Sequence, residues 1–114
     1  MDTFYLKKST RKDKKYVMEM PKYNHKHHFG AKGMRDFTLI NNKKSKFYLA
    51  DKDKRDKVKK AYKARHGGDK GLGNIHSPAE LSDVLLWTAP TLQGGIKNYE
   101  KRHNVNVIKK FNFM

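Results

Sequence analysis

The chain has 114 residues, 36% of them apolar and 11% aromatic, which suits one domain with a modest core and excludes a wholly disordered tail. Lys and Arg number 27 against 11 acids, a formal +16, and the lack of cysteine excludes disulfides, thiolate catalysis and cysteine-ligated zinc. No apolar run nears membrane-spanning length and the first six residues do not fit a secretory signal, so a soluble, intracellular protein is expected.

In chain order, residues 1–15 read as a basic arm. Phe4, Tyr5 and Leu6 lead into a run from Lys7 to Lys15 that is broken only by Ser9, Thr10 and Asp13. Residues 16–114 read as a single compact domain. Tyr16-Val17-Met18-Glu19-Met20 alternates and predicts a strand ended by Pro21. A second extended segment covers 22–29, and Gly30-Ala31-Lys32-Gly33 supplies a turn into a third strand, Arg35 to Ile40. A polar loop, residues 41–44, precedes the short apolar stretch Phe47-Tyr48-Leu49.

Helices follow. Asp51 or Asp53 can cap one that runs to Arg65, with Val58, Ala61, Tyr62 and Arg65 facing inward and His66-Gly67-Gly68 as its stop. Ser77-Pro78-Ala79-Glu80 is the clearest local signal: Ser77 as N-cap, Pro78 as first helical residue, Glu80 as the reciprocal capping-box partner. That helix buries Leu81, Val84, Leu85 and Trp87, and Pro90 ends it. Thr91 caps a third helix with Leu92, Ile96 and Tyr99 inward; Gly94-Gly95 weakens it by about 1 kcal/mol per residue, so another element must approach that backbone closely. Val105 to Ile108 reads as a returning strand, with Phe111 and Phe113 in a tail. The expected class is therefore α+β: a small N-terminal antiparallel sheet, three helices and a C-terminal strand.

Charge is lopsided along the chain. Residues 1–65 hold 21 bases and 7 acids, net +14, whereas residues 66–114 are only +2. Such self-repulsion calls for a polyanionic partner, although a merely very soluble protein is the alternative. Of the 27 bases 22 are lysines, point charges suited to phosphate backbone rather than to base edges. The candidate phosphate contacts are Lys7, Lys8, Arg11, Lys12, Lys14 and Lys15 in the arm, then Arg35. Lys43, Lys44 and Lys46 extend them through the loop, and Lys54, Arg55, Lys59, Lys60, Lys63, Arg65 and His66 lie on or at the end of the basic helix.

Other chemistry is harder to build. His25 and His27 share a strand face, but neighbouring lysines repel a cation, so no metal or other cofactor is expected. Asp36, His28 and Glu80 are the only trio that suggests a metal-dependent nuclease, and nothing resembles a nucleophile elbow or a phosphate loop. No catalytic residue is assigned. Tyr48 and Tyr62 could stack on unpaired bases, which would suit RNA or single strands, but rings at such spacing more often build core.

Four segments read together resemble a family of short basic proteins encoded by large DNA viruses of eukaryotes, including amoebal giant viruses. They are residues 9–16; His28-Phe29-Gly30-Ala31-Lys32-Gly33 running into Asp36-Phe37-Thr38; Ala64-Arg65-His66; and residues 85–92. The resemblance implies a virion, virus-factory or nuclear location and double-stranded DNA as the abundant polyanion, and it draws attention to Arg11, Arg35, Arg65 and His66. The resulting expectation is a non-enzymatic, sequence-independent DNA-binding protein that helps package or compact a viral genome. Its C-terminal helical half would serve as core and as a homodimer face. A binder of an acidic protein partner is a further alternative.

Overall fold

The computed structural model describes residues 1–111, so Phe113 lies outside the described residues. Three strands open the fold: β1 (Asp2–Lys8), β2 (Lys14–Met20) and, after a 3-10 turn at Pro21–Tyr23, β3 (His25–Ala31). Four helices follow, α1 (Phe37–Ile40), α2 (Lys52–His66), α3 (Pro78–Trp87) and α4 (Leu92–His103), and then strand β4 (Val105–Lys109). The class is α+β. The sheet order is β3-β2-β1-β4; the first three strands are antiparallel, and β4 joins parallel to β1, so the sheet is mixed rather than purely antiparallel.

The basic arm is not an arm. Residues 2–8 form an inner strand of the sheet, with Phe4 and Leu6 fully buried, and residues 9–13 are the turn of the β1–β2 hairpin. The Phe4/Leu6 alternation gives β1 an apolar face, and that outweighs the repulsion of the lysines that follow. Ser9 N–H donates to the Lys15 carbonyl and Ser9 Oγ lies 2.7 Å from His28 Nδ1, which ties the turn to the strands.

The third expected strand is also different: Phe37–Ile40 is one helical turn. Asp36 caps it, accepting from Leu39 N–H at 3.0 Å and Thr38 Oγ1 at 2.5 Å, and Phe37 and Ile40 bury at a helical spacing. A short polar side chain at the start of the segment thus offers its backbone a better partner than a strand ladder would. The short apolar stretch Phe47 to Leu49 belongs to a loop.

Helices α3 and α4 cover one sheet face, α3 against β3 and α4 against β4. Phe4, Leu6, Met18, Met20 and Phe29 from the sheet meet Leu81, Leu85, Ile96 and Tyr99 in a single core. The expected close approach occurs at Gly95, where any Cβ would collide with the Leu85 carbonyl group. Ser77 and Thr91 are N-caps as expected, accepting from Ala79 N–H at 3.1 Å and Gly94 N–H at 3.0 Å.

Glu80 does not complete the expected capping box. Its carboxylate is wholly buried and accepts from Gly73 N–H at 2.7 Å, Arg102 Nε at 2.5 Å and His103 Nε2 at 2.7 Å. It therefore pins the glycine-rich loop and the end of α4 to the start of α3. Burial alone raises the Glu80 carboxyl, but the Gly73 N–H, Arg102 and His103 outweigh burial and leave it below its ordinary value.

Candidate nucleic-acid interface

Helix α2 carries the densest positive charge and no buried side chain. Asp51 caps it, accepting from Asp53 N–H at 2.9 Å, while Lys63, Arg65 and His66 sit in its last turn. Both ends thus agree with the helix dipole. Val58 and Tyr62 are half-buried, but Ala61 and Arg65, expected to face inward, are exposed. The residues between them are too polar to bury, so α2 rests on the body through a few specific contacts.

The first is Tyr62 stacked on Trp87, ring centroids 4.0 Å apart and 7° from parallel, with His66 stacked on the other side of Tyr62 at 4.3 Å. Burial, with Asp83 and Asp69 nearby, pushes the Tyr62 hydroxyl up to about 12. The others are Lys63 Nζ to Asp83 at 2.7 Å, Arg55 to the Leu49 and Ala50 carbonyls at 2.7 and 3.1 Å, and Lys59 over the Phe37 ring at 4.8 Å.

These contacts sort the expected phosphate ligands. Lys15 is internal, paired at 2.6 Å with Asp36, a carboxylate only 2% exposed. Lys7 pairs with Glu19 at 2.8 Å, and Arg11 lies 3.4 Å from Asp13. Lys63, Arg55, Lys59 and His66, which lies 2.7 Å from Asp69, all hold the fold together. The Lys8 and Lys46 Nζ atoms lie over the Phe111 and Phe47 rings at 5.9 and 5.1 Å.

Lys12, Lys14, Arg35, Lys43, Lys44, Lys54, Lys60 and Arg65 have no side-chain hydrogen bond or ion pair among the described residues, and all but the half-buried Lys14 are exposed. Lys57 belongs with them and was missed as a contact. Its signal was present, because Lys54, Lys57 and Lys60 recur every three residues and all three are exposed. Ala61 and Ala64 lie among them, so nothing bulky blocks approach to these lysines.

A cleft of 510 Å³ runs beside the end of α2. Lys14, Arg35 and Arg65 line it, together with the Lys15–Asp36 pair and His66 with Asp69; Phe29, Met34, Pro78, Ala79 and Leu86 form its apolar part. It therefore gathers residues from four separate parts of the chain, residues 14–15, 29–36, 62–69 and 78–87. Gly30, at φ +78°, lets the end of β3 pass close to Leu86 and Lys15, where a Cβ would stand 3.1 Å from Leu86 Cδ1. A second cavity of 660 Å³ near Phe111 has only Lys8 and Lys43 as cations.

The remaining expectations for chemistry separate in space. Asp36 belongs to Lys15, His28 to Ser9 and Glu80 to the Gly73–Arg102–His103 node, so the nuclease trio sits in three networks. His25 and His27 do share a face, with centroids 5.7 Å apart, and His76 joins them. Burial, then His25 and His76, lower the His27 imidazole. No group of three metal-ligating residues is arranged to hold an ion among the described residues.

The apolar residues of α3 and α4 lie inside the core, as expected of the C-terminal helical half. The exposed large apolar side chains among the described residues are Met1, Met34 and Ile108. No described helix is long and apolar enough to cross a membrane.

No curated protein and no solved structure matches the chain. Residues 5–50, from β1 to the loop ahead of α2, are similar to a protein family of unknown function, DUF5754.

Proposed function

We propose that the protein is a non-enzymatic, sequence-independent binder of double-stranded DNA that contacts phosphates through lysines. The observation that carries this reading is α2: 15 residues, none buried, with Lys54, Lys57 and Lys60 all exposed. A helix of that length is about 22 Å long, enough to lie along a groove and reach phosphates on either side. Lys43 and Lys44, exposed just ahead of it, extend the same charge. Tyr62 and Tyr16 favour duplex over single strands, because they are stacked on the Trp87 and Phe111 rings rather than displayed. For a chain that resembles proteins of large DNA viruses, genome packaging or compaction in the virion, virus factory or nucleus is the fitting setting.

Anisotropy titrations of duplex DNA, single-stranded DNA and RNA across a salt series, with magnesium present, test the proposal. The logarithm of duplex affinity should fall with the logarithm of salt by about 0.9 per phosphate neutralised. Replacing Lys54, Lys57 and Lys60 by Gln should flatten that slope by about 3 units. An affinity unchanged between low and moderate salt overturns the proposal; cleavage of the DNA overturns its non-enzymatic part.

A further inference from the structure

We infer that the cleft between the end of β3, the last turn of α2 and the first turn of α3 is a binding site for a nucleoside 5′-phosphate. The source is either the phosphorylated end of a strand or a free mononucleotide. The inference deepens the DNA reading and rests on it for the first of these sources.

Three observations converge. The side chains of Arg35 and Arg65 border the cleft with no hydrogen bond or ion pair among the described residues, unlike Arg55, Arg102 and Arg11. Two idle guanidinium forks on one cavity are an arrangement for a phosphate, whose oxygens match the planar fork in bidentate fashion. Lys14 adds a third cation whose side chain is unpaired among the described residues.

The charge of the cleft fits a phosphate monoester. Lys14, Lys15, Arg35 and Arg65 stand against two carboxylates, and each carboxylate already has its own partner, Asp36 on Lys15 and Asp69 on His66. With His66 counted as neutral, four cations against two anions leave a formal +2, which matches the charge of about −1.5 to −2 that a monoester carries at neutral pH. A diester within a strand would leave part of it uncompensated.

The rest of the cleft is apolar. Met34, 62% exposed, stands at the border with Phe29, Leu86 and Pro78, and the Trp87–Tyr62–His66 stack forms another wall. A cavity of 510 Å³ lies within the range of about 300–1,000 Å³ typical of small-ligand sites. A ligand that suits both halves is anionic at one end and flat or apolar at the other. A nucleotide meets that description, and inorganic phosphate meets only half of it.

Calorimetry with AMP, adenosine and inorganic phosphate, beside anisotropy with one oligonucleotide duplex bearing 5′-phosphate or 5′-hydroxyl ends, tests the inference. AMP should bind and adenosine should not; a strand-end site also makes the 5′-phosphate duplex about tenfold tighter, as expected for one charge-assisted arginine contact. Arg35→Gln, at an exposed position without a side-chain hydrogen bond or ion pair among the described residues, should abolish AMP binding and the end preference. Lys57→Gln with Lys60→Gln should weaken both duplexes and keep their ratio. AMP binding without an end preference assigns the site to free mononucleotide. Equal affinity for the two duplexes together with no AMP binding overturns the inference. Circular duplex, which has no ends, separates the two readings: if it binds while AMP and the ends do not, only the cleft assignment fails. If AMP binds and circular duplex does not, only the DNA proposal fails.

Discussion

Helices α2 and α3 stand 11 residues apart in the chain and answer to opposite rules. Six of the ten residues of α3 are buried, including the carboxylate of Glu80, whereas α2 buries none of its fifteen. Both are well capped, by Ser77 and Asp51, so local helix signals do not separate them. What separates them is where their side chains find partners. Helix α3 is held by apolar area and by one fully satisfied buried charge. Helix α2 is held by an aromatic stack and a few polar contacts, and its outer lysines are left to solvent and to ligand. Positive charge is thus concentrated on an element that contributes least to the core, where repulsion among the lysines does least damage to folding.

That contrast can be broken at its strongest point first. Glu80→Ala strands Arg102 and the half-buried His103 and releases the Gly73 loop. It should cost about 3 kcal/mol in urea unfolding, within the usual range for removing one partner of a buried ionic group. The same carboxylate makes stability fall in acid. Its folded pKa lies below the ordinary 4.5, so its contribution is complete above pH 4.5 and is lost as pH drops through the lower folded value. Melting curves from pH 6 to pH 3 should show a decline that Glu80→Gln lacks.

Gly95→Ala comes next, because its methyl would collide with the Leu85 backbone and force α4 off α3. Overpacking of this kind should cost about 2–3 kcal/mol by thermal or urea melting. Tyr62→Ala removes the stack on Trp87 and should cost about 1–2 kcal/mol. Its sharper signature is local: amide exchange should speed up in α2 while that of β1 and β2 is unchanged. Exchange that rises equally everywhere would mean α2 belongs to the core's cooperative unit after all. At the small end, Gln at Lys54, Lys57 and Lys60 should move the melting midpoint little while weakening duplex binding, because these exposed side chains make no hydrogen bond or ion pair among the described residues.

Much of the fold was legible in the chain. The Ser77-Pro78 and Thr91 caps, the Tyr16 to Met20 alternation and the demand for close packing at Gly94-Gly95 all appear where expected, since each depends on residues within a few positions. The first strand was obscured because the lysines after Leu6 suggested solvent, although Phe4 and Leu6 were already alternating. The Arg35 to Ile40 segment was misread because its apolar residues fit either period, and the Asp36 side chain decided for a helix. The candidate site was legible only as a composition. Which bases are engaged follows from partners 21, 20 and 22 residues away: Lys15 with Asp36, Lys63 with Asp83, Arg102 with Glu80.

The sequence by itself determined the charge asymmetry, the absence of cysteine chemistry, the α+β class and the starts of α3 and α4, since these are counts or short-range rules. Tertiary structure alone decided that the N-terminal basic run is part of the sheet and that Lys15 is internal. It also brought Lys14, Arg35 and Arg65 to one cleft. Pairing and burial are long-range properties of a packed chain, and a lysine's identity says nothing of the carboxylate that will reach it.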